Sequence, residues 1–317
     1  MSVLASVIKV LRHKGPVGVA KAVYYALKIR LLRDVFGRRH IRKRIHGSWM
    51  DLDLRDRGIS RTLLLFGTRE EEHRIILGRV LRDGMTIFDI GANIGYYVLM
   101  ERKLIGPAGK IVACEPSPEN VALLKNNLTL NGCTNVAVLP VAISDRPATK
   151  TFFLSEMSNL GTFHPTGAAK DGHNGKQVDV EALTVPQLMD DHGRPDLIRM
   201  DIEGHEVEAF NGMLKAVATG RMAPMILFET HFPRYGPDHD MIRPLEALFE
   251  YGYRVRYLAS TWAPGTKIIE ALGYRGSEPI KTDFVTRVLY EDIRNDHAID
   301  LICRTGGVRT VLLEKTA

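Results

Sequence analysis

Asp89, Gly91, Asn93 and Gly95 stand at alternate positions, and Glu115 follows 20 positions after the last of them. Glycines let a backbone turn sharply and approach a ligand closely. Asparagine tolerates the left-handed conformation better than most residues. An acid at the tip of a second strand accepts ribose hydroxyls. The chemistry implied is nucleotide binding. A pyrophosphate would call for G-x-G-x-x-G, with backbone N–H groups and a helix dipole aimed at it. Position 96 is Tyr96 instead, and Asp89 stands before the first glycine. A carboxylate there repels a pyrophosphate and suits a ligand with an ammonium and a sulfonium group. S-adenosylmethionine carries both, and a ribose for Glu115. A nicotinamide-dependent oxidoreductase is disfavoured on both counts.

A second set of groups suits proton transfer. Asp201, Glu203, His205 and Glu206 cluster in one stretch, and Glu229 and His231 in another. A hydroxyl is a poor nucleophile, so a base near its proton helps. His231 is the first candidate for that base, with Asp201 and Glu203 as alternatives. Glu229 would orient the acceptor or the histidine, and Glu206 would cap the following helix. Two carboxylates without a firm third ligand do not make a cation site, so no metal is assigned.

These residues need a scaffold that gathers them at one edge. Thr86 to Ile90 reads as a buried strand, Tyr96 to Ile105 as a helix and Lys110 to Cys114 as a second strand. Pro116-Ser117-Pro118 opens a helix that runs to about Leu130 and ends at Asn131-Gly132. Val136 to Ile143 is expected to form a third strand, Leu197 to Ile202 a fourth, Pro224 to Phe228 a fifth and Tyr253 to Leu258 a sixth. Such a pattern predicts an α/β fold with a doubly wound, mostly parallel sheet. Ligands bind beyond its carboxyl edge, where the strand order reverses. Thr68 reads as the cap of a helix to about Leu81. Val185 to His192 and Ile242 to Tyr251 also read as helices. Short strands, Thr151 to Leu154 and Gln177 to Leu183, flank a loop whose His164 and His173 read as solvated. Residues 259–296 read as irregular, and Ile299 to Cys303 as a last strand.

The segments DIGANIGYY (Asp89 to Tyr97) and DLIRMDIEGHE (Asp196 to Glu206) together resemble the FkbM-type methyltransferases, over about Gly58 to Arg304. That resemblance implies a Rossmann-like class I methyltransferase fold, S-adenosylmethionine as cofactor and O-methylation of a sugar, glycan or glycolipid hydroxyl. A polyketide or other small secondary metabolite is the alternative acceptor. In methyltransferases of this shape the third strand's tip borders the adenine, which makes Asp145 an expected contact. The segment before the first strand covers the cofactor edge and puts Glu71 nearby, although helix capping explains that acid more simply. A non-catalytic binding module on the same fold would not need Asp89, Gly91, Gly95 and Glu115 together.

The chain has 317 residues, 45% hydrophobic and 25% charged, enough for one large domain with an appendage. Its three cysteines show no pairing or metal spacing, which argues for a reducing compartment. The net charge of +6 is unevenly placed. Residues 1–46 hold 12 Lys+Arg and one acid, or +11; the remainder holds 31 bases and 36 acids, or −5. The expected division is a basic helical arm, 1–46, and a methyltransferase domain, 47–317. Met1 to Arg12 and Val17 to Leu32 read as helices interrupted by Gly15-Pro16, followed by a basic cluster from Arg38 to Arg44. Such an arm is either a solvated helix packed on the body or an interfacial anchor on an anionic membrane surface. Nucleic acid is not expected, because no second basic region or aromatic platform accompanies the arm. No secretory leader and no spanning apolar run are read, so the expected location is cytoplasmic, peripheral on the inner face of the membrane if the arm is an anchor. The oligomeric state is not written in the sequence.

Overall fold

The computed structural model describes residues 3–164, 173–282 and 284–316, with the backbone alone for 3–9, 12–14 and 173–175. Helix α1 (Val3–Arg30) is broken where expected, at Gly15, whose φ of 65° and ψ of −176° are not helical. Strands β1 (His40–Ile45) and β2 (Ser48–Asp53) then form an antiparallel hairpin in which Ile45 pairs with Ser48. This corrects the expected arm. Its basic cluster lies largely in a strand: Ile41 and Ile45 turn inward at alternate positions, and Arg42 reaches across to Asp51 at 2.9 Å. The division at 46/47 falls inside the turn made by His46 and Gly47, both at positive φ.

Helices α2 (Ile59–Phe66) and α3 (Glu71–Val80) lead to the first central strand. The cap of α3 is not Thr68. Glu70 holds that place at a left-handed φ of 48° and turns its carboxylate inward. The nucleotide-binding half-sheet follows as read: β3 (Thr86–Ile90), α4 (Tyr96–Ile105), β4 (Lys110–Cys114) and α5 (Pro118–Leu130). The third strand departs from expectation. Pro140, which has no N–H for a ladder, divides it into β5 (Val136–Leu139) and β6 (Val141–Ile143). Strand β6 leaves the main sheet for a small one with β7 (Ala148–Ser155) and β8 (His173–Leu183), both longer than read. Next come α6 (Val185–His192), capped by a Thr184–Gln187 capping box, β9 (Leu197–Met200), α7 (Glu206–Ala218) and β10 (Met225–Glu229).

The C-terminal third differs most. After α8 (Ile242–Glu250) and β11 (Tyr253–Ser260), the segment expected to be irregular contains α9 (Ala263–Ala271), β12 (Ile280–Thr282), β13 (Val285–Arg287), β14 (Leu289–Glu291) and the start of α10 (Asn295–Ile299). The run from Ile299 to Cys303 is helical, not a strand. A short apolar run cannot be assigned to strand or helix by periodicity. The last strand is β15 (Val308–Lys315).

The main sheet runs β14-β11-β15-β10-β9-β3-β4-β5. Strands β10, β9, β3, β4 and β5 are parallel, and β15 is inserted antiparallel between β10 and β11. Successive residues face opposite sides. Phe88, Ile198 and Phe228 join a core under α6, α7 and α8; Ile87, Leu197 and Leu227 join another under α2, α3 and α4. Both faces are therefore buried, as a parallel sheet requires. The order reverses between β3 and β9, and the carboxyl edge there carries both loops singled out in the sequence.

Candidate active site

At the β3–α4 turn, Gly91, Asn93 and Gly95 all take positive φ, 84°, 49° and 87°. A Cβ at Gly91 would collide with the backbone carbonyl of Asp201, and one at Gly95 with Leu124. The two tips, β3 and β9, therefore touch through a glycine. Asn93 donates its backbone N–H to Glu115 Oε2 at 2.9 Å and its side-chain amide to Ser158 O at 2.9 Å. Glu115 Oε1 also accepts from Ser117 N at 2.9 Å and Asn120 Nδ2 at 3.1 Å. Burial of Glu115, 5% exposed, raises its carboxyl to about 7 against these donors. Gly91, Asn93 and Glu115 line a solvent-open cleft, together with Asp201, Glu203 and the β6 residue Ile143.

Asp89 does not face this cleft. It is fully buried, and Arg199 on the neighbouring strand donates Nη1 to its Oδ1 at 2.8 Å. The same guanidinium reaches Asp201 Oδ2 at 3.3 Å and stacks 4.1 Å above the Tyr97 ring. Burial disfavours its charge, yet Asp89 and Asp201 outweigh that and hold Arg199 above the ordinary arginine range. The expected meeting of Asp89 with the cofactor's ammonium is thus corrected. Its charge is spent inside the sheet, and it acts by fixing Arg199 under the loop. Gly95 likewise shapes the turn without lining the cleft. Asp145 is outside the lining too: its carboxylate accepts from Ser144 Oγ at 3.0 Å and lies 3.8 Å from Lys150 Nζ.

Beyond β9 and β10, four carboxylates surround His231. Its Nδ1 lies 3.1 Å from Glu206, and its Nε2 lies 3.5 Å from Glu203, 3.5 Å from Glu229 and 3.9 Å from Asp201. Burial disfavours the imidazolium, but Glu206, Glu203 and Glu229 together raise His231 to about 10. A ring drawn towards its protonated form is a poor proton acceptor, and His231 does not line the cleft. Both observations weigh against the expected general base. Glu203, at a left-handed φ of 55°, lines the cleft, and burial raises its carboxyl to about 7 while His231 opposes the rise. Glu206 both accepts from Ile202 N at 3.0 Å, as a capping acid does, and holds His231. Glu229 pairs with Arg309 on β15. Ligand atoms of Asp201, Glu203 and His231 lie within 4.8 Å of one another, the convergence expected of residues at neighbouring strand tips. The cationic place among them is held by the imidazolium and by Arg199 and Arg309.

Several residues of this network were not singled out in the sequence. Arg69 pairs with Glu70, which also accepts from Tyr97 Oη at 2.6 Å and Arg309 Nη2 at 3.1 Å. Arg69, Tyr97 and Arg199 border the cleft. Arg199 alone had a readable signal, a cation inside an otherwise apolar strand. Glu71 turns instead to Arg74 at 2.7 Å.

A mostly parallel sheet with two antiparallel strands, β15 and β14, towards one edge, a glycine turn after the first strand and an acid at the second tip together define a Rossmann-like S-adenosylmethionine-dependent methyltransferase. The profile of the Methyltransferase FkbM domain matches residues 89–255, more than half of the chain, and the chain belongs to that family. Its cofactor is S-adenosylmethionine. Methyltransferase sdnD of Sordaria araneosa is 28% identical over 209 residues, covering 56% of this chain and 77% of its own. The 31-O-demethyl-FK506 methyltransferase FkbM of Streptomyces tacrolimicus is 29% identical over 120 residues, covering 34% of this chain and 45% of its own. Among solved structures, Methyltransferase FkbM from Methylobacillus flagellatus KT aligns at 17% identity with a TM-score of 0.39, over 73% of this chain and 54% of its own.

Proposed function

We propose that the enzyme transfers the methyl group of S-adenosylmethionine to a hydroxyl oxygen of a sugar, glycan or glycolipid. The bound cofactor supplies an electrophilic sulfonium methyl. Gly91, Asn93 and Glu115 would hold the cofactor, its methyl would pass to the acceptor oxygen, and S-adenosylhomocysteine would be the leaving group. Glu203 takes the hydroxyl proton. His231 is the counter-ion that holds Glu203 and Glu229 in place, and Arg199 does the same for Asp201. The observation that carries this reading is the placement of Glu203, which lines the cleft and stands 3.5 Å from the His231 imidazole, nearer than Asp201 at 3.9 Å. Alignment of oxygen, carbon and sulfur supplies most of the acceleration, and the base adds typically 10²–10⁴-fold.

The relative named for 31-O-demethyl-FK506 supports oxygen as the methylated atom and favours a second reading, a polyketide or similar small metabolite as acceptor. Cofactor labelled in the methyl group, incubated with extracted glycans and glycolipids and separately with a polyol macrolide, separates the two. Label in the glycan or glycolipid fraction, lost in Glu203→Gln, is expected. Label in the macrolide alone would replace the sugar reading.

The partner proposed for the arm is an anionic membrane surface. What supports it is a helix whose Val23, Tyr24 and Leu27 stay exposed, Leu27 by 60%, with Leu31 and Phe36 exposed just after it, beside Lys21, Lys28 and Arg30. The bases of the hairpin do not contribute equally. Arg39 pairs with Asp53 and Glu119, Arg42 with Asp51, and Lys43 donates to the carbonyls of Leu63 and Leu64. No helix among the described residues is long and apolar enough to cross a membrane.

A further inference from the structure

Beside the cleft, outside the groups used for methyl transfer, three histidines meet one glutamate. His164 follows β7, His205 caps α7, Glu208 lies in its first turn, and His239 follows β10. His164 Nε2 is 3.0 Å from His205 Nδ1 and 3.7 Å from Glu208 Oε1. His205 Nδ1 is 3.2 Å from Glu208 Oε2, and His239 Nε2 is 3.1 Å from the same oxygen. His164 is therefore half-buried in a polar cluster, not solvated as expected from the sequence; His173 has only its backbone described.

The outer partners of these rings fix their tautomers. His239 Nδ1 faces the Arg234 carbonyl at 2.8 Å, and a carbonyl only accepts. Nδ1 is thus protonated, and in a neutral ring Nε2 is a bare lone pair aimed at Glu208. His205 Nε2 faces Ser144 Oγ at 3.0 Å. That hydroxyl gives its proton to Asp145 and accepts from Lys150 at 2.8 Å, so His205 Nε2 is the donor and Nδ1 the lone pair. With neutral rings, the facing nitrogens of His164 and His205 and the Glu208 carboxylate converge with at most one proton, on His164 Nε2, among them, and the His239 lone pair faces the same carboxylate. His205, 2% exposed, has no water to relieve this. Histidines that give their second N–H to a carbonyl or hydroxyl and turn a lone pair to a shared centre are the pattern of metal ligands. Donors bonded at 2.0–2.1 Å in a tetrahedron lie about 3.3 Å apart, and the separations here bracket that value.

We infer that His164, His205 and Glu208, with His239 orienting the glutamate from behind, bind one divalent cation of the zinc class, which fastens the loop carrying Phe163 and His164 to the start of α7. Ligand atoms of the first three lie within 4.8 Å of one another. Two imidazoles and one carboxylate suit zinc, and His239 stands as the outer partner that fixes the carboxylate. Phe163 and His205 line the cleft, so the ion would stiffen one of its walls. The inference does not rest on the acceptor class or on methyl transfer.

Full-length protein stripped by a chelator and titrated with Co²⁺ provides the test. One Co²⁺ per chain is expected, with the intense visible bands of a four-coordinate site, displaced by Zn²⁺. His164→Gln and His239→Gln should each weaken binding about tenfold or more while the stripped protein still melts cooperatively. Zn²⁺ should raise the melting temperature of the wild type and not of the double variant. His231→Gln should leave the Co²⁺ spectrum unchanged. No stoichiometric binding, or a spectrum lost in His231→Gln and kept in the double variant, would overturn the assignment.

Discussion

Arg199 on β9 and Asp89 on β3 are cross-strand neighbours, joined at 2.8 Å and both shut off from water. The pair locks the two strands whose tips carry the cofactor loop and the Asp201–Glu203 turn. Removing one member leaves a buried, uncompensated charge, at a cost of about 3–5 kcal/mol. Arg199→Met should therefore lower the denaturant midpoint strongly. Asp89→Asn combined with Arg199→Met should recover much of the loss. A double variant as damaged as the single one would show that the pair is not the source of the effect.

Glu115 gives a pH signature. Its carboxyl is raised to about 7 in the folded chain, from an ordinary value of 4.5. Between those values the folded state binds the extra proton. Its contribution is thus fully present at the acid end and lost as pH rises through about 7, a swing of about 3 kcal/mol. Glu115→Gln should flatten the apo-protein's stability profile between pH 4.5 and 7. Cofactor affinity should run the other way, since ribose hydroxyls donate to the carboxylate, and should fall below pH 7 in the wild type only. Calorimetry across that range checks both; identical profiles for the two proteins would show that Glu115 does not titrate there.

Glu203→Gln should reduce kcat by roughly 100-fold or more with cofactor affinity near wild type. His231→Gln should also slow turnover, by removing the cation that holds the surrounding acids. His231→Lys, which retains a cation, should recover part of the rate. If Glu203→Gln is nearly as active as wild type, the proton goes elsewhere and Asp201 is the next residue to replace.

Arm binding is tested without cutting the hairpin. A chain begun near Gly47 would lose β1, so exposed apolar side chains are the better target. Full-length protein should sediment with vesicles containing anionic lipid and be released by salt, each base near the surface contributing about 1 kcal/mol. Val23→Asp with Leu27→Asp should abolish sedimentation and leave cofactor binding intact. Equal sedimentation of variant and wild type would assign the arm another role.

Local signals in the sequence decided the part of this protein that is built locally. Strand, glycine turn, helix and acid run consecutively from Thr86 to Glu115, and each step has its own residue signature: β-branched residues, two glycines, an apolar helix face and a carboxylate at a strand end. The fold class and the cofactor follow from that stretch. Asp201, Glu203, Glu229 and His231 were legible as residues at strand tips because parallel sheets put chemistry there. Only tertiary structure decided what each one does. Asp89 meets Arg199, 110 positions away, because β3 and β9 become neighbours where the sheet reverses. His231 changes from base to cation because four carboxylates from two tips close around it. Asp145 stands outside the cleft because it turns to Ser144 and Lys150, and the basic cluster becomes a strand because its hairpin partner carries acids opposite. His164, His205, Glu208 and His239 come together from three segments whose spacing carries no periodic signal.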